Sequence, residues 1–200
     1  MSILETNELT LDDIADLRAY ERERPTFRAH MLGVRRRRRV SLGPIIAVAF
    51  ESRDTVRYQI QEMARAEKLM TDDDIQVELD AYNPLIPTPS RLCATLFLEL
   101  TTDDEMREWL PKLVGIERHI VIRLADGTEV RSEPEAQHAS RLSREHATSA
   151  VHYIAFALDD TARVALASGA VRVAVDHPAY RHDVGLDPAT IDELRADTAV

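Results

Sequence analysis

The sequence predicts an α+β protein in which a mostly antiparallel sheet carries helices packed on one face, within a single domain spanning residues 1–200. Three observations point there. Short runs rich in β-branched and aromatic residues recur, among them "IIAVAF", "LCATLFLEL", "HIVIRL", "AVHYIAFAL" and "AVRVAVD". Between them lie stretches with apolar residues at helical spacing, opened by Thr or Asp caps. Gly43–Pro44 and Asp126–Gly127 supply the tight turns of hairpins. At 200 residues and 44% hydrophobic content the chain is large enough to bury one substantial core. Helices, a hairpin and a helix pair occupy 1–90; residues 91–200 are richer in strands.

In order along the chain, Thr10 and Asp13 resemble a capping box, and Ile14 and Leu17 begin a helical stripe that reaches Pro25. A second helical piece, "PTFRAHML", starts with that proline in its first turn. "RRRRVSLGPIIAVAF" reads as two strands about Gly43–Pro44. In "RDTVRYQIQEMARAEKLM", Val56, Ile60, Met63 and Ala64 share one helical face. Thr71 caps a further helix, "DDDIQVELDAY", which "NPLIPTP" ends because proline cannot continue it. After the strand "LCATLFLEL", Thr102 and Glu105 form a capping box for a helix with Met106, Trp109, Leu110 and Leu113 on its apolar side. A hairpin across "ADGT" and the polar stretch "EPEAQHASRLSREHATS" follow. The order strand, capped helix, Gly, strand then returns at 150–176. Either a duplicated βαβ unit of the ferredoxin-like kind or independent use of common caps explains the recurrence. "DPATIDELRA" closes as a helix capped by Asp187.

Charge narrows the function. The formal net charge is −10, opposite to what nucleic acid or an anionic membrane rewards. The longest apolar runs fall short of the ~20 residues of a bilayer span. The acidic start "MSILETNELT" does not have the basic-then-apolar pattern of a signal peptide, so a soluble, cytoplasmic protein is expected. The single cysteine, Cys93, lies in an apolar run and reads as buried and reduced. There is no Gly-rich phosphate loop, nucleophile elbow or dinucleotide fingerprint.

Three constellations are candidates for chemistry. In "VDHPAYRHDVGL", His177 and His182 flank Pro178, with Asp176 and Asp183 beside them. His152 joins them if its strand is a neighbour, since alternation sets it with Ile154 and Phe156 and away from Tyr153. Imidazole and carboxylate together suit Fe, Mn or Zn. The alternatives are histidines hydrogen-bonded at a strand end and a metal-free acid–base site. The second constellation joins Arg57, Tyr58, Gln61 and Glu62 to Glu78, Asp80, Tyr82 and Asn83; it either lines a ligand pocket or forms an Arg–Glu network that fixes helix packing. The third is the run Arg35 to Arg39. Extended, it places charge on both strand faces and must project or form an edge, where it meets either its own acidic surface or an acidic or phosphorylated partner.

Taken together, "RRVSLGP", "ESRDTVRYQIQEMARAE", "ELDAYNPLIP", "TSAVHYIAFAL" and "VDHPAYRH" resemble a bacterial family known as domain of unknown function 3501. The resemblance runs from about Leu17 to the end of the chain and carries no catalytic residues. It implies a genomic setting beside rubrerythrin-like proteins and iron–sulfur proteins like heterodisulfide-reductase subunits. The expectation is therefore an accessory or binding protein linked to redox or oxidative-stress metabolism, with an acidic iron–sulfur or rubrerythrin-like partner. A metal-dependent enzyme using His152, Asp176, His177 and His182 is the competing expectation.

Overall fold

The computed structural model describes residues 7–136 and 147–199. Among them are six α-helices: α1 (Leu17–Arg38), α2 (Arg53–Glu67), α3 (Asp72–Tyr82), α4 (Asp103–Lys112), α5 (Asp160–Ser168) and α6 (Pro188–Thr198). The strands are β1 (Arg39–Leu42), β2 (Ile46–Phe50), β3 (Arg91–Leu98), β4 (Ile120–Leu124), β5 (Glu129–Arg131), β6 (Glu133–Pro134), β7 (Val151–Ala157), β8 (Val171–His177) and β9 (Tyr180–Gly185). They form two antiparallel sheets, ordered β1-β2-β3-β7-β6 and β5-β4-β8-β9.

Alternation along the strands explains how one core serves both sheets. Val40, Leu42, Ile46, Val48 and Phe50 alternate onto the same face as Leu92, Ala94, Leu96, Ile154 and Phe156, and meet Ile120, Ile122, Val171, Val173 and Val175 of the second sheet in one buried cluster. Leu113, Leu166 and Leu194 bring the ends of α4, α5 and α6 into it. On the first sheet's other face, Val56 and Ile60 of α2 and Leu79 of α3 build a second cluster with Leu9, Leu85 and Ile86. There Glu51 is buried, its carboxylate accepting the hydroxyls of Thr55 and Thr95 at 2.5 Å each. Cys93 is fully buried, and burial pushes its thiol up to about 11.

The α+β class and the antiparallel pairing are as expected, but the sheet is split in two. A ferredoxin-like duplication is not confirmed. The two recurring strand-helix-strand passages each leave one sheet and enter the other: β3 crosses through α4 to β4, and β7 through α5 to β8. Neither closes a parallel βαβ unit. The capping box at Thr102 and the cap at Thr71 are present; the box at Thr10 opens only the 3-10 turn Leu11–Asp13, and α1 is capped instead by Asp16, which accepts the Ala19 amide. Of the polar stretch after β6, positions 137–146 lie outside the described residues. No described helix is long and apolar enough to cross a membrane.

Two expectations need correction at the N-terminal end. The helix does not stop at Pro25: α1 runs through it to Arg38. Pro25 and Glu21 are both exposed, so the Glu21 carbonyl that proline leaves without a donor faces water. The arginine run is likewise not extended. Arg35, Arg36, Arg37 and Arg38 form the last turn of α1, where cations favour the negative end of the helix dipole, and Arg39 alone opens edge strand β1.

Candidate functional site

The hairpin β8–β9 contains the first constellation and orients its side chains differently from one another. His177 is paired with Tyr180 and Val175 with His182 across the turn. His177 and Asp176 are consecutive on a strand and therefore face opposite sides of the sheet. His177 is buried, accepts the Ala179 amide on Nδ1 at 3.2 Å, and so donates from Nε2 to the Val114 carbonyl at 3.2 Å. His182 packs on Tyr180, ring centroids 4.7 Å apart, above the β1–β2 turn. His152 faces the core with Ile154 and Phe156, as alternation predicts. It is fully buried on β7, with Nε2 2.9 Å from the Ser149 carbonyl and 2.8 Å from Thr148 Oγ1. Burial lowers the pKa of both His152 and His177. The four residues considered as ligands for Fe, Mn or Zn thus point to different surroundings. Among the described residues no group of three or more His, Cys, Asp or Glu side chains is arranged to hold a metal ion.

Asp176 instead meets a residue that sequence reasoning missed. His119, just before β4, places Nδ1 3.1 Å from Asp176 Oδ1. Arg131 of β5 grips the same carboxylate with two bonds, 2.9 and 2.6 Å, and holds Asp176 down to about 2. The backbone joins them too, the Asp176 amide donating to the His119 carbonyl at 3.0 Å. Antiparallel pairing of β4 with β8 is the signal that could have found this: it sets the start of "HIVIRL" beside the end of "VRVAVD". The His119 ring stands edge-on to His177 at 4.8 Å. Glu117, two residues earlier and 9% exposed, has an Oε2 with no hydrogen-bond partner among the described residues.

Most side chains of the second constellation find their partners within the fold. Glu62 accepts the Tyr20 hydroxyl at 2.6 Å and two bonds from Arg24, 2.7 and 2.9 Å, which draw it down to about 2. Arg57 donates to the Asp13 carbonyl at 2.7 Å and lies over the Phe27 ring, whose edge contacts Tyr58. Buried Gln61 exchanges two hydrogen bonds with the Ala15 backbone. Asn83 does the same with Leu9. Asp80 accepts from Gln76 one turn back on exposed α3, and Tyr82 stacks edge-on with Tyr153. Most of these bonds fasten α1 and the preceding segment to α2; they do not link α2 to α3.

The arginine run divides by helical position. Arg38 is only 5% exposed; it binds Asp197 at 2.6 Å and Glu193 at 2.8 Å on α6, and donates to the Glu51 carbonyl. Arg37 pairs with Glu193 and Arg39 with Glu99, both at 2.6 Å. These three use the chain's own acidic surface. Around the helix from them, Arg18, Arg22, Ala29, Leu32 and Arg36 form an exposed stripe. Among the described residues no carboxylate lies within ion-pair reach of Arg18, Arg22, Arg28 or Arg36. Arg35 lies over the Tyr58 ring. With eight arginines against Glu21 and Glu23, α1 is strongly cationic in an acidic chain.

Comparison with known proteins agrees with this fold. A crystal structure of a protein of unknown function from Burkholderia pseudomallei K96243 is similar at 36% sequence identity, with a TM-score of 0.88, over 96% of this chain and 99% of that one. No curated protein matches. The family model for proteins of unknown function DUF3501 matches residues 8–198. The chain belongs to the DUF3501 family.

Proposed function

We propose that the chain is an accessory, cytoplasmic binding protein that docks an acidic partner on the outward stripe of α1, in a redox or oxidative-stress setting. One observation carries the reading: Arg18, Arg22 and Arg36 are exposed along one side of a helix about 33 Å long and, among the described residues, have no carboxylate partner, in a chain of net charge −10. Arginine without an internal partner keeps its forked donors available for carboxylates on another protein. Exposed Leu32 between them adds an apolar contact. The partner class, an iron–sulfur or rubrerythrin-like protein with an acidic face, comes from the family resemblance. The test is retention of such a purified protein on the immobilised chain. Retention should fall as salt rises through the range where the Debye length shrinks from about 10 to 3 Å. It should also be lost in the variant Arg18→Gln, Arg22→Gln, Arg36→Gln. Retention that ignores both salt and the triple substitution would sink the reading.

A further inference from the structure

We propose that His119 is a reactive nucleophilic imidazole, oriented by Asp176 to accept a phosphoryl group on Nε2. Asp176 accepts two bonds from Arg131 and is held ionised, so its Oδ1 can only accept from His119 Nδ1, 3.1 Å away. The Nδ1–H is thereby fixed, and the lone pair is left on Nε2. Among the described residues Nε2 has no hydrogen-bond partner, and the side chain is 33% exposed. The other described histidines differ in a way that matters for reactivity. His152 and His177 are buried with their ring nitrogens engaged by backbone and hydroxyl groups. His30 and His182 are exposed, but among the described residues no carboxylate is hydrogen-bonded to either ring.

Three arginines flank the site, alongside the carboxylates of Asp176 and Glu117. Arg131 donates to the Arg118 carbonyl as well as to Asp176, exposed Arg118 precedes His119, and exposed Arg181 lies opposite Asp176 on β9. An anionic phosphoryl donor is the reagent this surface attracts. In the transfer, the Nε2 lone pair forms the N–P bond while the donor's bond from phosphorus to its leaving group breaks with its electron pair, and the leaving group takes a proton from solvent. The Nδ1–H stays on the ring, where the Asp176 carboxylate offsets the cation that forms. His119 is the nucleophile; Asp176 and Arg131 are positioning residues. This assignment is independent of the docking surface on α1.

The test treats the full chain with phosphoramidate, a small phosphoryl donor, and follows intact mass and peptide maps. One acid-labile phosphoryl group is expected, on His119 Nε2, added roughly 10–100-fold faster than on His30 or His182. His119→Gln should abolish it. Asp176→Asn should slow it by the same order and move the ring proton from Nδ1 to Nε2, visible in imidazole ¹⁵N shifts. Equal labelling of His30 or His182, attachment at Nδ1, or absence of labelling on native protein would each overturn the assignment. The site preference is read on the unaltered chain, so a misfolded Asp176→Asn protein leaves the test intact.

Discussion

At Gly43 a single added methyl group has two costs. The residue turns β1 into β2 at φ 76°, a conformation that L side chains rarely adopt. A Cβ there would also fall onto the Tyr180 hydroxyl and within 2.5 Å of His182 Nε2. That hydroxyl is itself donated to the Leu42 carbonyl at 2.7 Å, so it has little freedom to retreat. Gly43→Ala should therefore destabilise the fold by about 2–4 kcal/mol, strain and overpacking combined, as read from the denaturation midpoint. A second residue-scale effect concerns pH. Burial depresses His152 and His177 in the folded chain, whereas the unfolded chain titrates them near the ordinary value of about 6.5. Below that value the unfolded state binds more protons than the folded one. The stability they contribute is present above about pH 6.5 and lost as pH falls through their lowered folded values. Denaturation midpoints at stepped pH should thus decline well before the stability contributed by Asp176 and Glu62, both held near 2, starts to fall below about pH 4.

At the scale of elements, the two ends of the arginine run separate stability from binding. Arg38 is nearly buried between Asp197, 9% exposed, and Glu193. Arg38→Ala strands those carboxylates and should cost about 3–5 kcal/mol in equilibrium unfolding. Among the described residues Arg18, Arg22 and Arg36 touch no such partners. Their replacement by glutamine, which keeps helix propensity, should move stability by less than about 0.5 kcal/mol per site. The same element shows where sequence reading stopped. Helix α2, by its apolar face, and α4, by its Thr102 cap and apolar face, were legible because these are local signals. The hairpins at Gly43 and Gly127 were legible for the same reason, both glycines having positive φ. The continuity of α1 was not, because Pro25 is a local stop signal that an exposed helix tolerates, and five consecutive arginines show no periodicity. Among the candidate site residues, the inward face of His152 followed from strand alternation. The partner of Asp176 did not, because His119 lies 57 positions away and only strand register brings the two together.

For the whole molecule, the helical part and the sheet-rich part of the sequence share a sheet and a core. Strand β2 from the first part lies between β1 and β3, and Val40 to Phe50 share one buried cluster with residues as distant as Leu194. Thermal unfolding should therefore be a single transition, with near- and far-ultraviolet circular dichroism tracing the same curve. Two resolved transitions would show the parts to be independent. The crossings through α4 and α5, and the direct run of β5 through Ser132 into β6, bear on exchange with solvent as well. The Ser132 amide donates to the Ile120 carbonyl at 2.8 Å, and its hydroxyl accepts from the Ile120 amide and donates to the Glu117 carbonyl, so one residue anchors the passage between sheets. With three such threads and one buried cluster between them, the two sheets are expected to open together. Backbone amides of β3 and β7 should then trade hydrogen for deuterium at the same slow rate as those of β4 and β8, a rate set by opening of the entire chain.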